Sequence, residues 1–532
     1  MKNWQNMLKK VKENQSWLLF VVSALVLLLF WWKGFRKKVQ PIFFTVSGRG
    51  TKVYCLVTLL LLFLALGLWM FFLKGKRIRL ERLFLVCALA TGIAWLCTLP
   101  PLSAPDEITH YATAYKWSNQ MLFQTSEDEQ GYVLIRKEDA DAPFDSLISY
   151  TKENYRAFFE HLLEFCRDSE MVSFNYKAMR GGPIPYIPQA VGITLGRVLH
   201  LGWAGTMLLG RLGNLLFFIV CIYWAIKQIP FGKMILFVVS LLPMTQELVS
   251  SMSYDVVVFS LTVLFTAVCF RDIYVKEQME KRDVAVLTVL LMALVPCKIV
   301  YVLMVGLCMM IPKEKFRTKR WYLLSLGTIL LLSAASLLIN NMAVLAEYTG
   351  GGENYIGWAD APGYTIGTLL AAPHYTWDIF LDTIYLRTGF YWDTMIGKYL
   401  GGLNLSLDSF FVLSFSGLLF VAALKQEEAE ALTSGRRAWC LVICAGISGL
   451  VFLSMLLGWT PVGSPFIQGI QGRYFLPILP LLLLTLRNKT FFIGGRCVSD
   501  GGIDRRIALA AIILNVFALH GAAAALLEGA VM

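Results

Sequence analysis

The stretch VYCLVTLLLLFLALGLWMFFL, Val53 to Leu73, holds no charged residue. Runs near this length recur along almost the whole chain. About 20 apolar residues are enough for a helix to cross the hydrocarbon of a bilayer, and a segment in lipid must satisfy its own backbone, which leaves helices or a closed barrel. Barrel strands alternate in short segments, whereas these runs are continuously apolar and Leu-rich, with charges confined to their ends. The expected fold is therefore all-α and polytopic. A hydrophobic fraction of 57%, 16% charged residues and a mean hydropathy of +0.60 over 532 residues exclude a water-soluble fold of this size.

The formal charge of +12 does not point to nucleic acid. The basic residues cluster in short loops flanking apolar runs, as in KGKRIRLER (74–82) and PKEKFRTKR (312–320), the pattern that sets membrane topology. Of the 11 Cys, most lie inside apolar runs and none shows a metal spacing, so they read as packing residues. The first run, Trp17 to Trp32, has no small-residue cleavage site after it and reads as a retained anchor.

With the basic loops 74–82, 226–233, 271–283, 312–320, 425–437 and 487–506 on the inside, parity gives about thirteen crossings. The segment 101–182 becomes a large external loop, and its fourteen Asp and Glu against eight Lys and Arg suit the outer side. Within it, Tyr155, Phe158, Phe159, Leu162, Leu163 and Cys166 form one helical stripe, expected to lie in the headgroup plane. Segment 183–201 is expected as a surface helix. Region 339–408, rich in Gly and aromatics, is expected to fold back over the outer face. Three parts follow: residues 1–82, with an extra pair of spans and a basic loop; a membrane core over 83–486; and residues 487–532, with a last loop and span. The basic 33–52 loop fits this parity poorly.

Directly after the run ending at Leu99 comes PPLSAPDEITHYATAY (100–115), which brings two adjacent carboxylates to the membrane edge. If a helix begins here, Asp106 pairs with His110 and Glu107 with Tyr111, four residues apart. Adjacent carboxylates repel, which favours a bound cation or a raised pKa, and a divalent ion with phosphate oxygens suits such a site. Capping by Ser103 and Asp106 explains the same residues equally well. At Asp255, closing LLPMTQELVSSMSYD, a helix cap served by Ser253 or by Asp255 is the favoured reading. Lys298 interrupts an apolar run in LVPCKIVYV and must be paired, snorkelling or functional. Arg473 in QGIQGRYFLP is either an interface anchor or, with its Gly-rich approach, an anion contact. Arg211 reads mainly as an anchor. Together, acids and cations on one membrane face suit a phosphorylated lipid, with cations holding phosphate and a carboxylate deprotonating a hydroxyl. Trp117, Trp358, Tyr391 and Trp392 stand ready to stack on sugars or to form the interfacial belt.

PPLSAPDEITHYATAY, PIPYIPQAVGITLGRVL, LLPMTQELVSSMSYD, KIVY and QGRYFLP occur in an order, from about residue 83 to 486, that resembles domain-of-unknown-function family 2142 of bacterial polytopic proteins. That family in turn resembles the type C glycosyltransferases, multi-span enzymes that use polyprenyl-phosphate sugars and carry an acidic motif in the first external loop. The resemblance implies Asp106 as catalytic base or metal ligand and Glu107 as its partner; His110 is a further catalytic candidate, and the expected cofactor is a divalent Mg or Mn ion at Asp106 and Glu107, or none. The same resemblance implies Arg473 or Lys298 as phosphate contacts; Tyr301, Arg211 and Asp255 stand beside them as further candidate substrate contacts. This chain departs from the family where a basic residue follows the histidine: Thr113 stands there, with Lys116 beyond it. The expected function is sugar transfer from a polyprenyl-phosphate carrier to an envelope glycan on the outer face of a bacterial inner membrane. A flippase or exporter for such lipids, or a scaffold of envelope assembly, are the other readings.

Overall fold

Apolar runs that must bond their own backbone become helices, and seven among the described residues are long and apolar enough to cross a membrane: Lys52–Phe72, Leu80–Thr98, Trp203–Gln228, Asp255–Tyr274, Lys319–Met342, Ser434–Trp459 and Gly502–Ala525. The structure is a computed structural model. It describes residues 2–36, 48–73, 78–140, 142, 152–166, 170–349, 354–424, 432–487, 492–493, 496–497 and 501–528. Most of the 33–52 loop, and parts of 74–82, 425–437 and 487–506, lie outside them. The chain is thus a helical membrane protein with little sheet.

The other segments expected to cross are shorter or broken, and proline is the recurring cause. Segment 233–248 divides into Lys233–Ser240 and Pro243–Val249, with Pro243 opening the second piece. The carbonyls freed at this break are bonded by side chains. Thr245 Oγ1 donates to Val239 O (2.7 Å), Gln246 Nε2 to Ser240 O (2.7 Å) and Asn515 Nδ2 to Leu241 O (2.8 Å). Such re-satisfaction is what makes a broken helix tolerable inside a membrane protein. Segments 284–296 and 299–311 appear as Lys281–Leu294 and a 3-10 helix, Ile299–Met310, with Pro296 between them. Segment 474–486 begins with 3-10 turns at Gly472–Tyr474 and Leu476–Ile478 before a short helix, Leu479–Thr485.

The loop after Leu99 is a folded layer. Helix Glu107–Met121 packs against an antiparallel hairpin, β1 (Tyr132–Arg136) and β2 (Met171–Lys177), and against helix Ile187–Val198. At 12 residues the last is too short to cross the hydrocarbon. It lies against Trp203–Gln228 so closely that a Cβ on Gly192 would stand 2.1 Å from Leu209 O. A buried network ties the layer down. Arg136 grips Asp139 through two hydrogen bonds (2.8 and 2.9 Å) and reaches Leu201 O (2.7 Å), while Tyr115 donates to Asp139 (2.6 Å).

The stripe expected in the headgroup plane differs. Its helix, Lys152–His161, ends before Leu163, which is exposed, and Phe158 and Phe159 are buried with Phe158 against Trp203. It packs on protein because Trp203 offers an apolar surface there; the Tyr155 side chain lies outside the described residues. Region 339–408 also does more than cover the outer face. It contains a 24-residue helix, Pro373–Ile396, whose last turns are buried against residues 472–474.

Removing one partner of a buried ion pair strands the other, at a cost of about 3–5 kcal/mol. Asp139→Ala is therefore expected to loosen this layer, read as faster hydrogen exchange and proteolysis of residues 132–136 and 171–177, with the Asp255–Tyr274 helix unaffected.

Candidate functional site

Two prolines, Pro100 and Pro101, stop the Leu80–Thr98 helix. The chain then turns through Leu102 and Asp106, both at positive φ (64° and 60°). Asp106 occupies the cap position of Glu107–Met121 in left-handed geometry and makes no side-chain cap bond. That corrects the capping reading. Its carboxylate, 67% exposed, accepts instead from Arg473 Nη2 at 3.1 Å. A non-glycine residue held at positive φ stores about 1–3 kcal/mol, and such strain collects at functional sites.

Glu107 turns the other way. Its oxygens accept from Ala104 N (3.1 Å) and Met252 N (2.9 Å), and Arg211 Nε stands 3.6 Å away, all fully buried. Burial pushes the Glu107 carboxyl up, opposed by Arg211 and these backbone amides. Arg211 also donates to Leu99 O (3.0 Å) and to Ser250 O. It is neither an interfacial anchor nor beside Asp106: a guanidinium in the protein interior needs this carboxylate and these carbonyls.

The buried turn 250–254 meets the same group of side chains. Asn214 Nδ2 donates to Ser251 O (2.8 Å) and Ser253 O (3.0 Å), and Gln189 Nε2 to Met252 O (3.3 Å). The turn delivers Asp255 to the start of Asp255–Tyr274. Ser253 Oγ accepts from Asp255 N (3.3 Å), which leaves the Asp255 carboxylate for Lys298 Nζ (3.4 Å) and Arg473 Nη1 (3.7 Å). Of the two capping candidates, Ser253 supplies the bond at this helix start, while the Asp255 carboxylate is ion-paired instead.

Arg473 is 3% exposed, and its Nε and Nη1 make no hydrogen bond. Its loop is set by close approach: a Cβ on Gly472 would lie 2.0 Å from Tyr391 O, and Gly472 N donates to Thr394 Oγ1 (2.8 Å). Tyr301 Oη donates to Tyr474 O (2.9 Å), so Tyr301 supports the loop from beneath. Lys298 Nζ sits 3.9 Å from the Tyr474 ring centre, a cation–π contact. His110 shares the edge of the cluster, with Nδ1 2.9 Å from Tyr186 Oη and its ring against Tyr254. Burial holds the His110 imidazole down at about 4, with Asp255 and Asp106 pulling it up and Arg473 and Lys298 pushing it down.

The structure thus brings Asp106, Asp255, Lys298, Arg473 and His110 together, supports them with Tyr301, and sets Glu107 and Arg211 behind them. Among the expected sugar-stacking aromatics, Tyr391 is buried and Trp392 donates to Ser416 (2.9 Å), whereas Trp358 is exposed and stacks on Trp459. The donor set does not fit a divalent ion: Asp106 and Glu107 bond separate partners, both clustered Asp face cations, and among the described residues no three His, Cys, Asp or Glu group to hold a metal. Two cations, one with unused buried donors, suit an anion. One carboxylate was missed by sequence reasoning. Glu247 is fully buried, accepts from Gly401 N and leaves Oε2 without a hydrogen bond; its signal was an acid inside the apolar stretch LLPMTQELV.

Residues 89–482, more than half of the chain, match the model of a family described as predicted membrane protein (DUF2142). The chain belongs to that family. No curated protein and no solved structure matches it. The matched stretch holds every member of the charge cluster, so the geometry described here lies within the family's own region.

Glu107→Gln is expected to destabilise the detergent-solubilised protein by about 3–5 kcal/mol by leaving Arg211 uncompensated. Asp106→Asn, at an exposed carboxylate whose partner Arg473 keeps Asp255 as a counter-charge, should cost less, about 1 kcal/mol; paired thermal melts compare the two. His110 in the folded state binds fewer protons than its ordinary value of 6.5 would give. Its contribution to stability is therefore complete above that pH and is lost as pH falls toward 4. His110→Gln should flatten this acid limb in melts taken from pH 7 to 4.5.

Proposed function

We propose that this protein is a bacterial inner-membrane glycosyltransferase that moves a sugar from a polyprenyl-phosphate carrier to an envelope glycan at the outer face. The observation that carries the reading is the exposed Asp106 carboxylate held by a buried Arg473 whose Nε and Nη1 have no hydrogen bond. In this reading the carrier phosphate engages Arg473 and Lys298, with Asp255 holding both cations in place. Charge-assisted bonds to phosphate replace the Asp106 contact and release the carboxylate. Asp106 then takes the proton of the acceptor hydroxyl, the oxygen bonds to the anomeric carbon, and the carbon–phosphate oxygen bond breaks. The electron pair leaves on the polyprenyl phosphate, where the two cations stabilise it. A single displacement inverts the anomeric carbon.

The same reading includes a type C glycosyltransferase architecture with about thirteen crossings, in which the short and broken helices complete passages begun by the seven long ones. Glu107, with Arg211, serves it as the strut beneath Asp106. A metal has no step in this scheme.

Asp106→Asn is expected to lower glycan product about 10²–10⁴-fold, the usual contribution of a general base, while expression and binding of polyprenyl phosphate stay intact. The measurement compares purified wild type and variant in vesicles with a polyprenyl-phosphate sugar and acceptor glycan. Unchanged product removes the enzyme reading. Carrier movement across the vesicle without acceptor identifies a transporter instead.

A further inference from the structure

The Asp255–Tyr274 helix has a second polar place at its other end, on the membrane face opposite the charge cluster. A cavity of about 430 Å³ opens there between this helix, the end of Trp203–Gln228 and the start of Lys281–Leu294. Two facing helix stripes build it. Leu264, Val268 and Arg271 follow one another along one face, and Arg282, Val286 and Leu290 along the other. Each stripe is apolar toward the bilayer centre and cationic at its end. Trp224, 43% exposed, flanks the opening, and Lys227 Nζ lies 4.4 Å from its ring centre.

The rim carries both signs of charge. Asp283 holds Lys276 (2.9 Å) and Arg271 (3.4 Å), and Asp272 holds Arg271 (2.6 Å), so these cations are fixed in place. Arg282 and Glu280 are exposed at the same rim, where Glu280 also caps the Lys281–Leu294 helix in a capping box with Asp283 and keeps its solvent-facing lone pairs. A purely apolar ligand would leave the rim charges Arg282 and Glu280 unused, and a soluble anion would leave the apolar walls uncovered. We propose that this groove binds one phospholipid with a phosphate–ammonium headgroup, of the phosphatidylethanolamine type. Arg282, with Arg271 and Lys276, receives the phosphate; Glu280 receives the ammonium; an acyl chain runs along Val268, Val286 and Leu290 past Trp224. Basic pockets between membrane helices, flanked by an interfacial Trp, are suited to lipid headgroups. The site is separate from the charge cluster and does not depend on the function proposed above.

Native mass spectrometry of the full chain released from detergent tests it, with thermal shifts of delipidated protein on adding phosphatidylethanolamine, phosphatidylcholine or inorganic phosphate. Wild type should retain one phosphatidylethanolamine, which binds at least tenfold more tightly than phosphatidylcholine, whose methylated amine cannot donate to Glu280; inorganic phosphate should give no shift. Val286→Trp, which fills the groove, should lose the lipid, and Arg282→Glu should weaken it at least tenfold, while Asp106→Asn retains it. Retention of the lipid at wild-type level by Arg282→Glu, a surface change that leaves folding intact, overturns the proposal whether or not Val286→Trp folds. Equal binding of phosphatidylcholine overturns the headgroup assignment, and a shift with inorganic phosphate assigns the rim to a free anion.

Discussion

The turn 250–254 is non-helical and Ser250 to Ser253 are buried; the Ser250 and Ser251 amides still bond to the preceding helix, whereas the Met252 amide and the carbonyls of Ser250 to Ser253 are bonded by side chains from elsewhere. Each unpaired buried group would cost about 1–3 kcal/mol. Four side chains from three helices, two of them in the layer that follows Leu99, discharge that requirement: Glu107 accepts from Met252 N, Arg211 and Asn214 donate to Ser250, Ser251 and Ser253 carbonyls, and Gln189 reaches Met252 O. Satisfying the turn therefore fixes the layer built on Glu107–Met121 and Ile187–Val198 to the long apolar helices. Asp106 and Asp255 are each adjacent in sequence to a residue in this network or its turn, and their positions follow from it.

The divergence of the two neighbouring acids is a consequence of the same bonding. Glu107 is drawn inward by a backbone amide and a guanidinium that have no other carboxylate at hand. Asp106, one residue earlier and in left-handed geometry, is then turned outward, where Arg473 arrives on a loop that only glycine at 472 allows so close to Tyr391. A buried cation needs anionic company. Arg473 has two carboxylates, at 3.1 and 3.7 Å, yet two of its nitrogens remain without hydrogen bonds. The cluster is stable enough to hold its shape and retains donors for a further anion.

Membrane nature, helical class and the members of the charge cluster were legible in the sequence because each rests on a local signal: long apolar runs, or a charged residue where apolar ones are expected. Lys298 and Arg473 stood out by that rule. The partners were not legible, since pairing Asp106 with Arg473 spans 367 positions and no periodicity encodes it. Arg211 was misread as an anchor because its position near the start of an apolar helix says nothing of the carbonyls of Leu99 and Ser250 that fold onto it. The broken helices were hidden for a similar reason. Pro243 marks a possible break, but whether the freed carbonyls find Thr245, Gln246 and Asn515 is decided by tertiary packing.

Helix Asp255–Tyr274 joins the two polar ends of the molecule. Its N-terminal end carries Asp255 among the cations of the charge cluster, its C-terminal end carries Arg271 at the rim of the opposite groove, and the stretch between is almost wholly buried. A helix enclosed on nearly all sides cannot rotate or slide without disturbing its neighbours, since interiors are packed as densely as organic crystals. Its two ends are therefore held at a fixed separation. The buried acids at its two ends, Asp255 and Asp272, have to be satisfied where they stand, and the cations paired with them, Lys298 and Arg473 at one end and Arg271 at the other, do so.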